Sequence, residues 1–185
     1  MSSIALAGWQ TSRKARLDQM FVNCASCFVE ALDQCYFEVL AIRLASKFQG
    51  FCRSLHDECI EFVAGLSPVL TQLVRNLLQY ERKLDHKNAS PDSLRLDFER
   101  FPIGLLVLLQ QDSPPKANDW WKAIGDLNIA RNAGAHDSEA NRVKLSQPLT
   151  PDTCQTWRND LDELVVAMDR VIKKEFLTKF GAEPW

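Results

Sequence analysis

Apolar residues recur at steps of three and four along most of the chain, the spacing that places them on one side of a helix. The longest such stretch runs from residue 36 to residue 63 and predicts one long amphipathic helix. A "GLSP" break follows, in which Ser67 is suited to cap and Pro68 to open a second helix that we expect to end near residue 86. The apolar positions are Phe37, Leu40, Leu44, Phe48, Phe51, Leu55, Cys59 and Phe62 in the first helix, and Leu70, Leu73, Leu77, Tyr80 and Leu84 in the second.

The same periodicity continues on both sides of this pair. Residues 10–33 are predicted to be helical, and residues 92–111 to form one or two short helices after the turn-rich loop "HKNASPDS". A further helix is expected over residues 119–134. Thr150 and Pro151 open the last helix. Its apolar positions are Trp157, Leu161, Leu164, Met168, Ile172 and Phe176.

No segment shows the strict alternation of a strand, and no repeat or linker divides the chain. With 46% hydrophobic and 25% charged residues, 185 residues suffice for one domain with a core of its own. The sequence therefore predicts an all-α fold, a bundle of five or six helices in a single domain over residues 1–185.

The charge, the apolar runs and the cysteine content of the chain limit the classes of function that it can have. The formal net charge is −2 and the pI about 5.9, so binding to nucleic acid would need a local basic patch. The longest uncharged apolar run, residues 101–109, is too short to span a membrane, and "MSSIALAGWQ" lacks the basic start of a signal peptide. We therefore expect a cytoplasmic protein whose six cysteines are reduced.

The stretch "DLNIARNAGAHD" ends the helix predicted over 119–134 with unusual chemistry. Arg131 continues the apolar series of that helix, and a guanidinium there needs a partner. Five residues turn a helix by about 140°, so Arg131 and His136 do not share a side, whereas Asn132 and His136 do. Gly134 is expected to adopt the left-handed conformation that ends a helix. Arg131 either pairs with a carboxylate of another helix or marks an anion site.

The spacing Arg131-Asn132-x3-His136 resembles the R-x4-6-H motif of the HEPN superfamily (higher eukaryotes and prokaryotes nucleotide-binding). In that family a polar residue follows the arginine, as Asn132 does here. The upstream helix "AIRLASKFQGFCRSLHDECIEFV" also resembles an early HEPN helix. The resemblance implies a HEPN-like core over residues 35–180, preceded by a helical extension over residues 1–34.

The family includes metal-independent endoribonucleases, often toxins or antiphage and stress effectors, whose two motifs meet across a homodimer interface. Carried over, His136 is the acid and base, Arg131 binds the phosphate and Asn132 supports both. Imidazole suits proton transfer near neutral pH, and a guanidinium offers fixed donors to phosphoryl oxygens. The resemblance implies RNA as substrate, no cofactor, and an antitoxin or nucleotidyltransferase as a partner.

Two departures leave other interpretations open. Toxins paired with a minimal nucleotidyltransferase often carry a tyrosine two residues after the histidine, where this chain has Ser138. The acidic residues Asp126, Asp137 and Glu139 near the motif would repel an RNA phosphate. A non-catalytic HEPN-fold scaffold that binds a protein or nucleotide partner is therefore one alternative, and an unrelated helical interaction module is another.

Other residues offer binding chemistry. Arg142 and Lys144 would supply a basic patch after the motif, and Trp121, with Lys122 beside it, a base-stacking surface. The pair Cys24-x2-Cys27 and the one-sided set Cys52, His56 and Cys59 have ligand-like spacing, but both fit core packing better. We therefore predict no metal site.

Overall fold

Helices make up the framework throughout the computed structural model. It describes the backbone of residues 1–25, 30–136 and 138–185, and within these the side chains other than those of residues 23–35 and 139. In chain order the helices are α1 (Ile4–Gly8), a π-helical segment (Trp9–Arg13), α2 (Lys14–Ala25), α3 (Glu30–Gly65), α4 (Thr71–Gln79), α5 (Lys83–His86), α6 (Pro91–Phe98), α7 (Leu105–Asp112), α8 (Pro114–His136), α9 (Glu139–Arg142) and α10 (Pro151–Phe180).

Three long helices, α3, α8 and α10, surround one hydrophobic core. The other helices pack on this trio, and α1 contributes to the same core. The predicted apolar series of α3 and α10 face inward, which confirms those two assignments. Their packing is rich in aromatic contacts, and the largest fully buried rings are those of Trp9, Trp157, Phe48, Phe51, Phe98, Phe101 and Phe176.

The prediction of an all-α fold is confirmed, since the described residues contain no strand. The described part of the chain nevertheless has more helical segments than the expected five or six, because several predicted helices are divided or flanked by single turns. Thr150 caps α10 as expected, with its side chain accepting a hydrogen bond from the backbone N–H of Thr153. Ser67 and Pro68 do not open α4, which begins at Thr71 after a turn.

The helix predicted to run to residue 86 is broken after α4. Glu81 has a positive φ of 51°, and the chain restarts as α5. The carboxylate of Asp97 accepts hydrogen bonds from the backbone N–H groups of Lys83 and Leu84, each at 2.8 Å. The guanidinium of Arg100 donates to the carbonyls of residues 78, 80 and 81. These two side chains satisfy the backbone groups that a continuous helix would have paired, so tertiary contacts outweigh the local periodicity.

A buried histidine lies beside this break. His56 is fully buried, with Nε2 3.2 Å from the carbonyl of Asp97 and Nδ1 3.5 Å from Nη1 of Arg82. Nε2 therefore carries the proton, and Nδ1 faces a cation. Burial, followed by the charge of Arg82, lowers the pKa of His56 from its ordinary value of 6.5 to about 3. The ring is neutral in the folded protein and packs against Phe98 and Phe101.

Folding should therefore become less favourable as the pH falls from about 6.5 towards 3. Across that range the unfolded chain takes up a proton at His56 and the folded chain does not, which costs up to about 1.4 kcal/mol per pH unit. We expect His56→Gln, which keeps an N–H donor and an acceptor, to lose less unfolding free energy than wild type between pH 7.5 and 4.5. Denaturant titrations at the two pH values measure this. Equal losses in the two proteins would contradict it, because carboxylate protonation is common to both.

Candidate functional site

The last turns of α8 lie directly against α3. The expectation that Gly134 ends the helix in a left-handed conformation is wrong: α8 stays helical to His136, and the described glycine with positive φ is Gly181. Gly134 instead permits close packing. A Cβ added to it would lie 2.9 Å from Cβ of Glu38 and 3.2 Å from Cδ1 of Ile42. The glycine therefore serves helix contact, which explains a small residue inside the motif.

Arg131 and Asn132 both bind the loop before α6. Nη1 of Arg131 donates to Oδ1 of Asn88, and Nδ2 of Asn88 donates to Oδ1 of Asn132 at 3.2 Å. One turn earlier, Nδ2 of Asn128 donates to the carbonyl of Ala89 at 3.0 Å. The first two residues of the motif are thus held in fixed positions by a single amide side chain.

The partner of Arg131 is neutral, and this decides the electrostatics of the site. Among the described residues no carboxylate forms an ion pair with Arg131, and the side chain is half-buried. Its positive charge is therefore directed by Asn88 without being cancelled. A guanidinium in this state offers its remaining N–H groups to an anion such as a phosphate.

His136 occupies the final position of α8 and is exposed. No hydrogen-bond partner of its ring is found in the described part of the chain, so both ring nitrogens are accessible. Because the helix continues regularly to this residue, His136 lies on the side of Asn132, about 140° from Arg131 around the axis. One chain alone therefore does not direct both Arg131 and His136 to the same side of α8.

The predicted RNA-binding residues fall into two groups, one after the end of α8 and one within it. Nε of Arg142 pairs with Glu38 at 2.8 Å, which brings α9 beside Gly134, and the exposed Lys144 lies 3.3 Å from Oδ1 of Asn141. The half-buried Trp121 and the exposed Lys122 are nine or more residues before Arg131, which is about 14 Å along the helix. The structure therefore places Arg142 next to the motif through Glu38, shows Lys144 in contact with Asn141, and leaves Trp121 and Lys122 away from the motif.

The surroundings of Lys122 are acidic. It lines a cavity of about 190 Å³ together with Asp119, Asp126 and Asp160. Burial, opposed by Lys116, raises the pKa of Asp160, and the nearby charge of Asp119 raises it further. Asp126 is itself buried and accepts a hydrogen bond from Ser146, so it does not face the motif's surface. This cavity is a poor place for a phosphate.

The cysteines whose side chains the structure describes, Cys52, Cys59 and Cys154, are buried thiols. Cys52 and Cys59 are fully buried, and burial raises the pKa of both thiols, while His56 between them is held by Asp97 and Arg82. Among the described residues no group of His, Cys, Asp or Glu side chains is arranged to hold a metal ion. Cys27 and Asp137 lie outside the described residues, as do the side chains of Cys24 and Glu139.

Two residues with clear roles at the site were missed in the sequence. Asn88 belongs to the loop "HKNASPDS", where its residue type indicated only a turn, and Glu38 was one polar position in a long helix. Each contacts a residue more than 40 positions away. A single sequence carries no signal for such contacts.

No family model, curated protein or solved structure matches the chain. None of the helices in the described part of the chain combines the length and the apolar character needed to cross a membrane.

Gly134→Ala should destabilise the protein by about 1–3 kcal/mol, because the new methyl group overlaps Glu38 and Ile42. Gly125→Ala on the same helix is a matched control. A Cβ there meets nothing within 4 Å, so alanine should stabilise the helix by up to about 1 kcal/mol. Thermal and denaturant unfolding measure both changes. If Gly134→Ala were as stable as Gly125→Ala, the close helix contact would not constrain the fold.

Proposed function

We propose that this protein is a HEPN-type endoribonuclease, a homodimer that cleaves RNA without a metal ion or cofactor. The observation that carries the proposal is the uncancelled charge of Arg131, fixed by a neutral amide, on the same helix end as the accessible imidazole of His136. A phosphate binder and a side chain that can both accept and donate a proton are what cleavage by a ribose hydroxyl requires. The exposed Lys144, eight residues after His136, supplies local positive charge despite the net charge of −2, while the charge of Arg142 is paired with Glu38.

The chemistry is a transesterification followed by release. One His136 removes the proton from a 2′-hydroxyl, whose oxygen attacks the adjacent phosphorus while the bond to the 5′-oxygen breaks. A protonated imidazole gives its proton to the departing 5′-oxygen, and the products are a 2′,3′-cyclic phosphate and a 5′-hydroxyl. The guanidinium of Arg131 binds the phosphoryl oxygens as negative charge grows on them. Asn88 acts as a positioning residue that fixes this guanidinium.

A two-fold dimer resolves the angular separation of the motif. A second copy of the α8 end would bring its His136 towards the first chain's Arg131 and place two imidazoles in one cleft. Exposed apolar side chains flank the motif, and Val39 and Val143 are sequence neighbours of the Glu38–Arg142 ion pair. These features support an interface at the α8 end.

A non-catalytic HEPN-fold scaffold is the second candidate. It is favoured by the same contact with Asn88, because Arg131 and Asn132 also anchor the loop before α6. In that case the motif would hold the fold together and His136 would have no chemical task. The two functions differ in what happens when His136 alone is removed.

His136→Ala and Arg131→Ala should each abolish cleavage of total RNA while leaving the helical circular dichroism unchanged. His86→Ala replaces another exposed histidine and should cleave at the wild-type rate. Asn88→Ala keeps the guanidinium but no longer positions it, so cleavage should be reduced without being abolished, which separates the chemistry of Arg131 from its anchoring of the loop. Wild-type activity should persist in excess EDTA and leave cyclic phosphate ends. Cleavage by His136→Ala, or products with 3′-hydroxyl ends, would exclude the mechanism and favour the scaffold.

A shared cleft predicts how activity responds to mixing chains. When wild type and His136→Ala are co-expressed at known ratios, activity should fall with the square of the wild-type fraction, because a site needs both imidazoles. Independent sites would give a linear fall. The variant's own assembly state, measured by light scattering, should match wild type. A linear response in a protein that cleaves RNA would rule out the composite site.

A further inference from the structure

The short helix α4 turns its apolar side to solvent. None of the residues of α4 is buried, and its side chains Leu73 and Leu77 are 55% and 64% exposed, as is 70% of Tyr80, which directly follows the helix. The turn before it exposes Leu66, Val69 and Leu70 as well, with Val69 94% exposed. We call these six residues the α4 face: Leu66, Val69, Leu70, Leu73, Leu77 and Tyr80.

The opposite side of α4 already has its partners within the chain. Thr71 donates to the carbonyl of Ala64, Arg75 forms an ion pair with Glu61, and Leu78 packs on the core. The α4 face is therefore not the side that attaches the helix to α3. It is a second apolar side, and the fold of this chain leaves it uncovered.

The spacing on the α4 face suits another helix. Leu73 and Leu77 are one turn apart on α4, and Leu70 and Tyr80 flank the helix at spacings of three residues, so the four side chains are placed to pack against another helix. At roughly 150 Å² for a fully exposed large apolar side chain, the exposed fractions leave about 550 Å² per chain. This is the upper part of the range for the largest apolar patch on a single chain, and such patches are often functional. Two copies would together bury at most about 1,100 Å², which clears the minimum of roughly 1,000 Å² for a biological interface.

The charges around the α4 face indicate which kind of partner it can bind. The polar residues of α4 include the uncharged Gln72, Asn76 and Gln79, and the cation Arg75 is paired with Glu61. A membrane-surface helix needs basic residues beside its apolar side, which α4 does not offer. A face without net charge meets no repulsion from an identical face, and two antiparallel copies would match Leu73 with Leu77 and Leu70 with Tyr80 about a two-fold axis.

We propose that the α4 face binds the α4 face of a second copy of this chain. The surface lies apart from the motif, since the α3 residues that contact α4 and those that contact Gly134 are about 28 Å apart along α3. Pairing through α4 is therefore compatible with an additional contact at the α8 end and does not depend on RNA cleavage.

The test compares masses by light scattering at micromolar concentration. Leu73→Lys/Leu77→Lys places charges in the centre of the face, and we expect its species to have half the mass of the wild-type species. Val107→Lys/Leu177→Lys adds the same charges at exposed apolar sites on α7 and α10, where the exposed fractions are 60% and 46%, and should keep the wild-type mass. RNA cleavage per chain should be unchanged in both variants, which separates this contact from any at the α8 end.

Three outcomes would overturn the proposal. The first is a wild-type protein that runs as a 21.1 kDa monomer. The second is a Leu73→Lys/Leu77→Lys variant with the wild-type mass. The third is wild-type protein that floats with vesicles of phosphatidylcholine and phosphatidylserine while the variant does not, which would assign the face to a membrane surface.

Discussion

The close packing of α8 on α3 is the contact on which the site depends. At Gly134 the two helices are so near that even a methyl group would overlap Glu38 and Ile42. Glu38 then binds Arg142, so the same point of α3 also orients the short helix after the motif. A larger residue at position 134 would displace the end of α8 and with it His136. The small residues between Arg131 and His136 are therefore a requirement of helix packing.

Next to this contact, the motif is held by a polar but uncharged side chain, that of Asn88. Asn88 satisfies Arg131 and Asn132 at once, so the loop before α6 is fastened without neutralising the guanidinium. A carboxylate in place of Asn88 would hold Arg131 as firmly and would compete with any phosphate for it. Arg82 differs from Arg131 in this respect. Its charge is neutralised by ion pairs with Asp57 and Asp85, and its guanidinium lies beside the neutral ring of His56 in the core.

Periodicity identified the buried sides of α3 and α10 because those helices are long and their apolar residues face one core. It misjudged the segment after residue 79, since the carboxylate of Asp97 and the guanidinium of Arg100 replace the backbone partners there. It correctly placed Arg131, Asn132 and His136 at the end of a helix. It did not identify Asn88 as the partner of Arg131. Because Gly134 is a glycine, we expected it to end the helix in a left-handed conformation. Its role is instead to allow close contact with Glu38, almost 100 positions away. Local patterns predict helices; contacts distant in sequence decide how they end and what they meet.

The two surfaces at opposite parts of α3 differ in the kind of contact they can make. At the α8 end the apolar side chains are few and surround polar groups, so an interface there would be held partly by what it binds. The α4 face consists of uncharged, largely apolar side chains, so its burial would be driven by apolar area. Two-fold contacts at both places generate a closed tetramer if their axes intersect at right angles, whereas axes that do not intersect generate an open chain of molecules. The relative placement of the two axes, which the single helix α3 links, therefore determines whether the assembly has a fixed size.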